Sequence, residues 1–481
     1  MKKKLIKLLA VLSFLSAIPA FATEVERPNI LVILTDDHGY ADVGFQGLNN
    51  DVKTPNLDKL ANEGVRFSSG YVAHPFCGPS RTALMTGRYP HKIGADFNLP
   101  VDGSTTGIDT NEIFISKALQ RAGYHTGAIG KWHLGEEKPY QPTSRGFDEF
   151  FGFLGGGHKY FPEQYQAQYA KAKAAGIKRF NDYITPLMRN TEEVTETEYL
   201  TDAFSREAVD FISRAGENKQ QPFFLYLAYN APHVPLEAKK EDLALFSHIK
   251  DKKRRTYLAM VYAVDRGVGK VVDALKKTNQ FDNTLIVFLS DNGGKRKWGA
   301  INLPLKEGKG SAREGGHRVP MFFHWPKGLK GGRQYDYPVS SLDYYPTFLA
   351  LAKSDIPDGK VLDGKNIIPH IIDNTSARKG ESLFIMRHRK GAHDVSVRRD
   401  DFKAVRTTTT GGWRLYNVAK DIGETKDLSK QYPQLLADMV KDASHWAWSN
   451  KPPQWFHIHK EGDEWRSDNM PRYGETFSLD N

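Results

Sequence analysis

The chain has 481 residues, of which 40% are hydrophobic and 26% are charged, and its formal net charge is +10 at pH 7. That length and apolar content suffice for one large domain and a smaller one. The single cysteine, Cys77, excludes an internal disulfide, and no internal repeat or long low-complexity linker interrupts the chain.

The first 22 residues have the pattern of a secretory signal peptide. Three lysines precede an apolar stretch over 5–21, which ends in the small-residue cleavage pattern Ala20-Phe21-Ala22. We expect cleavage near Ala22 and a secreted or periplasmic protein. A retained anchor is the alternative, but the apolar core is short for a membrane span, so we expect no stable membrane anchor. Removing these residues takes away four lysines and no acids. The net charge then falls to about +6, which suits an anionic substrate or solubility alone.

From residue 29 to residue 290, continuous apolar runs alternate with amphipathic stretches. Such runs are typical of strands buried on both faces of a parallel sheet. In chain order we predict strand Asn29–Thr35, helices 54–64, 77–88 and 111–122, strands 126–130 and 223–228, helix 257–276 and strand 284–290. The alternation predicts an α/β fold with a mostly parallel sheet covered by helices, in a catalytic domain over residues 23–370.

Past about residue 370 the apolar runs become shorter and alternate with polar residues. The runs at 382–386, 394–399, 401–406 and 413–417 predict a small antiparallel sheet, followed by a helix over 432–448. We therefore predict a C-terminal α+β subdomain over residues 371–481.

Each of the four long strands runs directly or closely into polar residues. Asp36 and Asp37 follow the first strand, and Asp291 and Asn292 follow the last. Ligands of open α/β sheets bind beyond the carboxyl ends of the strands, so these groups are expected to meet at one rim. Hard oxygen ligands of this kind suit Ca²⁺. The alternative for an Asp-Asp pair is a turn or a helix cap, but carboxylates converging from two strands would repel without a cation.

A set of cationic or ionisable residues is predicted at the same rim: Arg81, Lys131, His133, His233 and Lys309. Singly, each has a plain explanation as a solvated charge, a hydrogen-bonded loop histidine or a flexible lysine. Together with Ca²⁺ they are able to surround a tetrahedral oxyanion, which is the arrangement that sulfuryl transfer needs.

Cys77 opens the motif Cys77-Gly78-Pro79-Ser80-Arg81, which continues as Leu84-Met85-Thr86-Gly87-Arg88. Pro79 suits the first turn of a helix, which places Cys77 at the helix N-terminus, where unpaired N–H groups attract negative charge. A buried packing thiol is the alternative, but it leaves the other positions of the motif unexplained.

This motif and its context resemble the formylglycine-dependent sulfatases of the alkaline-phosphatase-like superfamily. The segments that carry the resemblance are 77–88, 28–30 with 36–37, 54–58, 130–135, 231–233, 290–293, 314–320 and 343–347, with further matches at 362–364, Lys403, 415–416 and 421–427. The resemblance implies a large mixed, mostly parallel sheet sandwiched by helices. It also implies one Ca²⁺ held by Asp36, Asp37, Asp291, Asn292 and the modified Cys77.

In this family the cysteine is oxidised to Cα-formylglycine, so the resemblance implies a formylglycine-generating maturase as a partner. The implied reaction is a double displacement, in which the formylglycine hydrate at Cys77 attacks sulfur and sulfate is later expelled with help from His133. Arg81 and Lys131 orient the hydrate. His233 and Lys309 hold the ester and protonate the leaving oxygen, and either one can be the acid.

The resemblance is strongest to secreted bacterial polysaccharide sulfatases, which suggests a sulfated carbohydrate such as carrageenan and no nucleic-acid partner. Predicted substrate-binding residues are His158, Arg296, Trp298, His317, Arg387 and His388. The alternatives are a glycosaminoglycan sulfatase, a phosphonate or phosphodiester hydrolase, and a noncatalytic binder of sulfated glycans. A two-zinc phosphatase is disfavoured because it would need a histidine-rich second site.

Overall fold

A computed structural model describes residues 27–100, 105–177, 180–218, 220–389, 392–407, 411–467 and 473–479. The predicted signal peptide and its cleavage site lie outside these residues and stay a prediction. Within the described ranges, no helix has the length and apolar character needed to cross a membrane.

Strands and helices alternate along most of the described chain, and a run of four consecutive strands follows near the C-terminus. The strands are β1 (Asn29–Thr35), β2 (Val65–Phe67), β3 (Gly70–Tyr71), β4 (His125–Lys131), β5 (Glu149–Phe153), β6 (Leu187–Arg189), β7 (Glu192–Val194), β8 (Phe223–Ala228), β9 (Thr284–Ser290), β10 (Met321–His324), β11 (Arg333–Tyr335), β12 (Val339–Ser340), β13 (Ser382–Arg389), β14 (Ala392–Arg399), β15 (Phe402–Thr407) and β16 (Gly411–Asn417). The α-helices are α1 (Pro55–Glu63), α2 (Cys77–Thr86), α3 (Ile115–Arg121), α4 (Pro162–Ala174), α5 (Leu200–Ala215), α6 (Lys240–Ala244), α7 (Lys252–Lys277), α8 (Glu314–His317), α9 (Tyr344–Leu351), α10 (Ile368–Asp373), α11 (Pro433–Trp448), α12 (His459–Ser467) and α13 (Tyr473–Thr476).

The central sheet has the strand order β11-β2-β10-β9-β1-β8-β4-β5-β6-β7. The five middle strands, β9, β1, β8, β4 and β5, are parallel to one another. Strands β10, β6 and β7 pair with their neighbours in antiparallel fashion. The predicted fold class, a large mixed and mostly parallel sheet, is confirmed. The four predicted long strands are β1, β4, β8 and β9, and they lie side by side, so their carboxyl ends form one edge.

Helices cover both faces of this sheet because both faces are apolar. Side chains of a strand alternate between faces. Ile30 and Val32 of β1 therefore pack with α2, α3 and α9, while Leu31 and Ile33 pack with α1, α5 and α7 on the other side. The continuous apolar run of β1 thus contributes side chains to two separate hydrophobic cores, one on each face of the sheet.

Helix ends differ from the predictions where local capping decides them. The Cys77 helix stops at Thr86 and does not continue through Arg88, because Gly87 adopts a left-handed conformation with φ 66° and donates its N–H to the Ala83 carbonyl. Helix α7 begins at Lys252, earlier than predicted, because the Asp251 side chain caps it by accepting from the Arg254 amide.

The C-terminal part is an antiparallel sheet of order β13-β14-β15-β16, with α11 packed against it, as predicted. The predicted boundary at 370/371 falls inside α10, whose Ile371 belongs to the core of the central sheet. The boundary itself stays a prediction.

Candidate active site

The Cys77 helix, α2, stands at the carboxyl edge of the central sheet, and all ten of its residues are buried. Cys77 is its first residue and is only 2% exposed. The Gly78 amide donates to the Asn98 side chain, which leaves the first turn firmly anchored. Cys77 is therefore held at a helix N-terminus, as the motif predicts.

The Cys77 sulfur lies 3.0 Å from the Lys309 Nζ, which also pairs with Asp37 Oδ1 at 2.5 Å. Burial raises the pKa of the thiol to about 11, against the attraction of Lys131 and Lys309. Because the thiolate is the nucleophilic form, an unmodified Cys77 would be a poor nucleophile at neutral pH.

Arg81 follows Cys77 by one helical turn and lies on the same face of α2. Its guanidinium donates to Asp291 Oδ2 at 3.0 Å and to the Lys131 carbonyl at 2.9 Å. Lys131 in turn contacts Asp36 Oδ2 at 2.5 Å. All four charged side chains are at most 1% exposed, so they form a closed network under the reactive position.

The two buried aspartates have opposite pKa shifts. Burial and then the charge of Asp36 raise the pKa of Asp291 to about 7. Burial also acts to raise the pKa of Asp36, but attraction to Lys131, His233, Arg81 and Lys309 outweighs it and holds that pKa well below its ordinary value. The protein's own cations thus only partly offset the repulsion between the Asp36 and Asp291 carboxylates.

The residues at this rim fit a hard cation. Asp36 Oδ1 and Asn292 Oδ1 are buried oxygens without a hydrogen-bond partner among the described residues. Potential ligand atoms of Asp36, Asp37, Cys77 and His233 all lie within 4.8 Å of one another. The carboxylates of Asp36 and Asp37 and the Asn292 amide oxygen are hard oxygen donors, which Ca²⁺ prefers.

Asp291 and Asn292 are placed beside that cluster. Asp291 Oδ1 accepts from the Asp37 amide at 3.3 Å and its Oδ2 accepts from Arg81, while the Asn292 amide group donates to Asp37 Oδ1 at 2.8 Å. The predicted metal ligands are therefore brought together, and their role as ligands stays a prediction.

The two predicted catalytic histidines lie at the same edge. His233 Nδ1 is 2.8 Å from the Val234 carbonyl, and its Nε2 is 3.8 Å from Asp37 Oδ2. His133 has a left-handed backbone, φ 65°, and its buried Nδ1 has no partner among the described residues. Burial lowers the pKa of both rings, with Lys131 lowering that of His133 further, so both are neutral at pH 7.

Two predicted substrate-binding residues are instead buried structural groups. The His158 ring nitrogens lie 2.7 and 2.8 Å from the carbonyls of Lys159 and Thr185, and the ring is fully buried. His317 Nε2 is 3.2 Å from the Ala312 carbonyl and 3.2 Å from the Lys403 Nζ. The structure therefore does not support substrate contact by either histidine, because both rings are buried and protein groups contact both ring nitrogens of His158 and the Nε2 of His317.

The other predicted substrate-binding residues lie in the short turn 296–298 and near the end of β13. Arg387 contacts the carbonyl of Gly310 and lies 4.4 Å from the centre of the Phe76 ring, so it touches the neighbours of both Lys309 and Cys77. Arg296 is exposed and Trp298 is half-buried in a short turn after β9, and His388 packs against Phe97.

Sequence reasoning missed three residues that the fold brings to this rim: Asp182, Tyr183 and His457. Lys295 of the same rim is half-buried. Burial is the largest cause that lowers its pKa, and the positive charges of Lys309 and Arg387 lower it further. The charge of His457, from the segment after α11, acts on both His133 and Asp182. The available signal was the glycine run at 155–157, since consecutive glycines permit close approach of another segment.

A buried charged network joins the C-terminal sheet to the segment that carries Lys309. Lys403 of β15 lies 2.9 Å from Glu314 Oε1 and 3.4 Å from Glu424 Oε1, and all three side chains are fully buried. Glu314 also binds Arg318 at 3.0 Å and accepts from the Tyr71 hydroxyl at 2.8 Å. Since Glu314 lies five residues after Lys309, the C-terminal sheet braces the catalytic rim.

Family models and curated relatives match most of the chain. Residues 28–354 match the model of the sulfatase family, and residues 309–445 match that of N-sulphoglucosamine sulphohydrolase, C-terminal. The uncharacterized sulfatase YdeN of Escherichia coli (strain K12) is 31% identical, over 89% of this chain and 86% of that protein. The N-acetylgalactosamine-6-sulfatase of Homo sapiens is 34% identical, over 86% of this chain and 78% of its own length. The chain thus belongs to the sulfatase family, and it is a hydrolase of sulfate esters.

Solved structures share the fold of this chain. The protein Ps i-CgsB, solved in complex with k-i-k-neocarrahexaose, is 57% identical over 94% of this chain and 100% of its own, with a TM-score of 0.92. The phosphonate monoester hydrolase SpPMH from Silicibacter pomeroyi is 19% identical over 88% of this chain and 96% of its own, with a TM-score of 0.61, and it shares the fold.

Proposed function

We propose that this sulfatase removes sulfate from a sulfated carbohydrate, and that its substrate is an oligosaccharide of carrageenan. The observation that carries the proposal is the 57% identity to Ps i-CgsB over the whole of that chain, since that protein was solved with a neocarrahexaose bound. The cationic residues around Cys77 supply the charge that a sulfate ester requires.

We further propose that Cys77 is converted to Cα-formylglycine by a maturase and that Asp36, Asp37, Asp291, Asn292 and position 77 hold one Ca²⁺. The hydrated aldehyde and the cation would supply, respectively, the nucleophilic oxygen and positive charge next to sulfur. Support comes from the motif at 77–88 and from the orphaned oxygens of Asp36 and Asn292.

The chain's own residues have distinct tasks in this proposal. Lys309, 3.0 Å from the Cys77 sulfur, binds a sulfate oxygen and neutralises charge that develops on it. His233 turns its Nε2 toward the same space and is positioned to transfer a proton to or from an oxygen there. Arg81 and Lys131 hold Asp291 and Asp36, so they fix the carboxylates beneath the reactive position.

We also propose that the protein is cleaved near Ala22 and is secreted or periplasmic. This proposal rests on the basic and apolar pattern of residues 1–22. A polysaccharide fragment would be met outside the cytoplasm, which is consistent with an exported enzyme.

Sulfate release from defined oligosaccharides tests the proposed substrate. Protein matured at Cys77 is incubated with Ca²⁺ and carrageenan, glycosaminoglycan, ulvan and fucan oligosaccharides, alongside the Cys77→Ala variant. We expect release from carrageenan oligosaccharides, abolished in the variant, with product NMR identifying the ester that is cut.

Other outcomes of the same panel would correct the substrate. Release from a glycosaminoglycan alone would favour the alternative of a glycosaminoglycan sulfatase. Turnover of a phosphate or phosphonate ester in preference to every sulfate ester would contradict the proposed chemistry.

A further inference from the structure

A turn that no sequence motif marks stands beside the predicted nucleophile. It is the short helical turn Asp182–Ile184, and it lies on the glycine run 155–157. A Cβ on Gly157 would fall 2.7 Å from the Tyr183 ring, and a Cβ on Gly156 would fall 2.8 Å from His133 Nε2 and 3.2 Å from Asp182 Oδ2. The absence of side chains at these glycines is what allows the turn to approach His133 so closely.

The turn offers two polar atoms, Asp182 Oδ1 and the Tyr183 hydroxyl, to which the described residues supply no hydrogen bond. Asp182 Oδ2 accepts from the Gly156 amide at 2.8 Å, but its Oδ1 has no hydrogen-bond partner among the described residues. The Tyr183 hydroxyl likewise has none within the described ranges, and both side chains are only partly buried. Partly buried polar atoms next to a reaction centre are available to a ligand.

Tyr183 lies within electrostatic range of the reacting groups. Burial raises its pKa to about 12, and the charges of Asp36, Lys309 and Cys77 act on it as well. Gly156 lies against both His133 Nε2 and Asp182 Oδ2, so a ligand held beside His133 and Cys77 would place its alcohol portion close to this turn.

We infer that Asp182 and Tyr183 bind the sugar that carries the scissile sulfate, and so determine saccharide specificity. This inference rests on the proposed carbohydrate substrate. Asp182 Oδ1 accepts from a free sugar hydroxyl, and the Tyr183 hydroxyl donates to a ring or glycosidic oxygen. A second sulfate at the position facing Asp182 would be rejected, because two anions repel there.

Two conservative variants test the inference. Tyr183→Phe removes only the hydroxyl, and Asp182→Asn removes the charge while keeping the shape. We expect each to lower kcat/KM for a carrageenan oligosaccharide about tenfold, as for loss of one hydrogen bond to a charged or buried partner. Hydrolysis of a small aryl sulfate, which has no sugar to bind, should stay within about twofold of the parent protein.

Tyr432→Phe and Asp355→Asn, both at exposed positions, are the matched controls and should behave as the parent protein on both substrates. Equal losses on the aryl sulfate and the oligosaccharide would overturn the inference, as would unchanged oligosaccharide turnover.

Binding separates this inference from the proposed function. Calorimetric titration of a carrageenan oligosaccharide into Cys77→Ala protein measures affinity without any turnover. About tenfold weaker binding after adding Tyr183→Phe or Asp182→Asn supports the inference even if sulfate is never released. Unchanged affinity, or no binding to either protein, contradicts it.

Discussion

Lys309 connects the Cys77 position to the predicted metal ligands, because its ammonium contacts both the Cys77 sulfur and Asp37. Burial works against its charge, but the neighbouring Asp37, Cys77, Asp36 and Asp291 raise its pKa well above the ordinary value. It therefore stays protonated at any working pH. In the proposed mechanism, a permanent cation at this point would stabilise negative charge on a sulfate oxygen better than a titrating group would.

The first prediction concerns this cation. Lys309→Ala should lower kcat for a sulfate ester by about 100-fold or more, the usual effect of removing one preorganised donor. Steady-state kinetics with an aryl sulfate measure it, with exposed Lys330→Ala as the control. Activity within about threefold of the parent would show that Lys309 does not stabilise the transition state.

A second prediction concerns Gly156. In Gly156→Ala the new methyl would meet His133 Nε2 at 2.8 Å, so the ring or the turn at 182–184 must move. We expect at least about a tenfold loss of kcat, since small misplacements of catalytic groups are costly. Gly474→Ala, with open space around it, should leave kcat unchanged. A fully active Gly156→Ala protein would place His133 outside the reaction.

At the scale of elements, four strands carry their polar groups to one edge because they are adjacent and parallel. The pairings Leu34 with Ala228, Thr35 with Ser290 and Gly130 with Ala228 bring residues 36, 131, 229 and 291 to within one residue of the same level. The Cys77 helix then crosses this edge with its N-terminus at the centre. The chemistry is thus assembled by strand order, which brings together residues far apart in sequence.

A third prediction tests the brace from the C-terminal sheet. Lys403→Met leaves Glu314 and Glu424 buried without their shared cation, which should cost about 3–5 kcal/mol of unfolding free energy. Urea unfolding measures this, with exposed Lys420→Met as the control. We also expect a lower kcat, because Glu314 lies close to Lys309 in the chain. Unchanged stability would mean that the network does not hold the two parts together.

At the scale of the whole molecule, the C-terminal part closes over the first part through several contacts. His91, after the Cys77 helix, lies 3.0 Å from the Met386 carbonyl of β13. The segment 451–457 then runs beside residues 91–99, where Gln454 and Trp455 bond to the carbonyls of Gly94 and Phe97. The predicted subdomain is therefore part of the active-site wall.

A fourth prediction uses the pH dependence of this junction. Burial lowers the pKa of His91 from 6.5 to about 3, so its stabilising contribution is full above pH 6.5 and is lost as the pH falls toward 3. The unfolded chain binds the proton first. The cost of His91→Gln in unfolding free energy should therefore be about 2 kcal/mol smaller at pH 5 than at pH 7.5. Denaturant titrations at both pH values measure the difference, and a cost that grows on acidification would contradict the assignment.

Much of this molecule follows from the sequence, for identifiable reasons. The strands β1 and β9 are continuous apolar runs, so both their existence and the rim at Asp36 and Asp291 were predictable. The structural roles of His158 and His317 were not predictable, because their partners are backbone carbonyls and a lysine that only the fold brings near. Asp182 and Tyr183 were missed for the same reason, although the glycine run beneath them marked a close approach.

In the proposed mechanism, sulfate hydrolysis depends on conversion of Cys77 to formylglycine. Mass spectrometry of the peptide spanning Cys77, on preparations made with and without a maturase, gives the converted fraction. Sulfate release is measured on the same samples. We predict that activity rises in proportion to that fraction and is absent without conversion. Full activity from protein that carries only the Cys77 thiol would contradict the account.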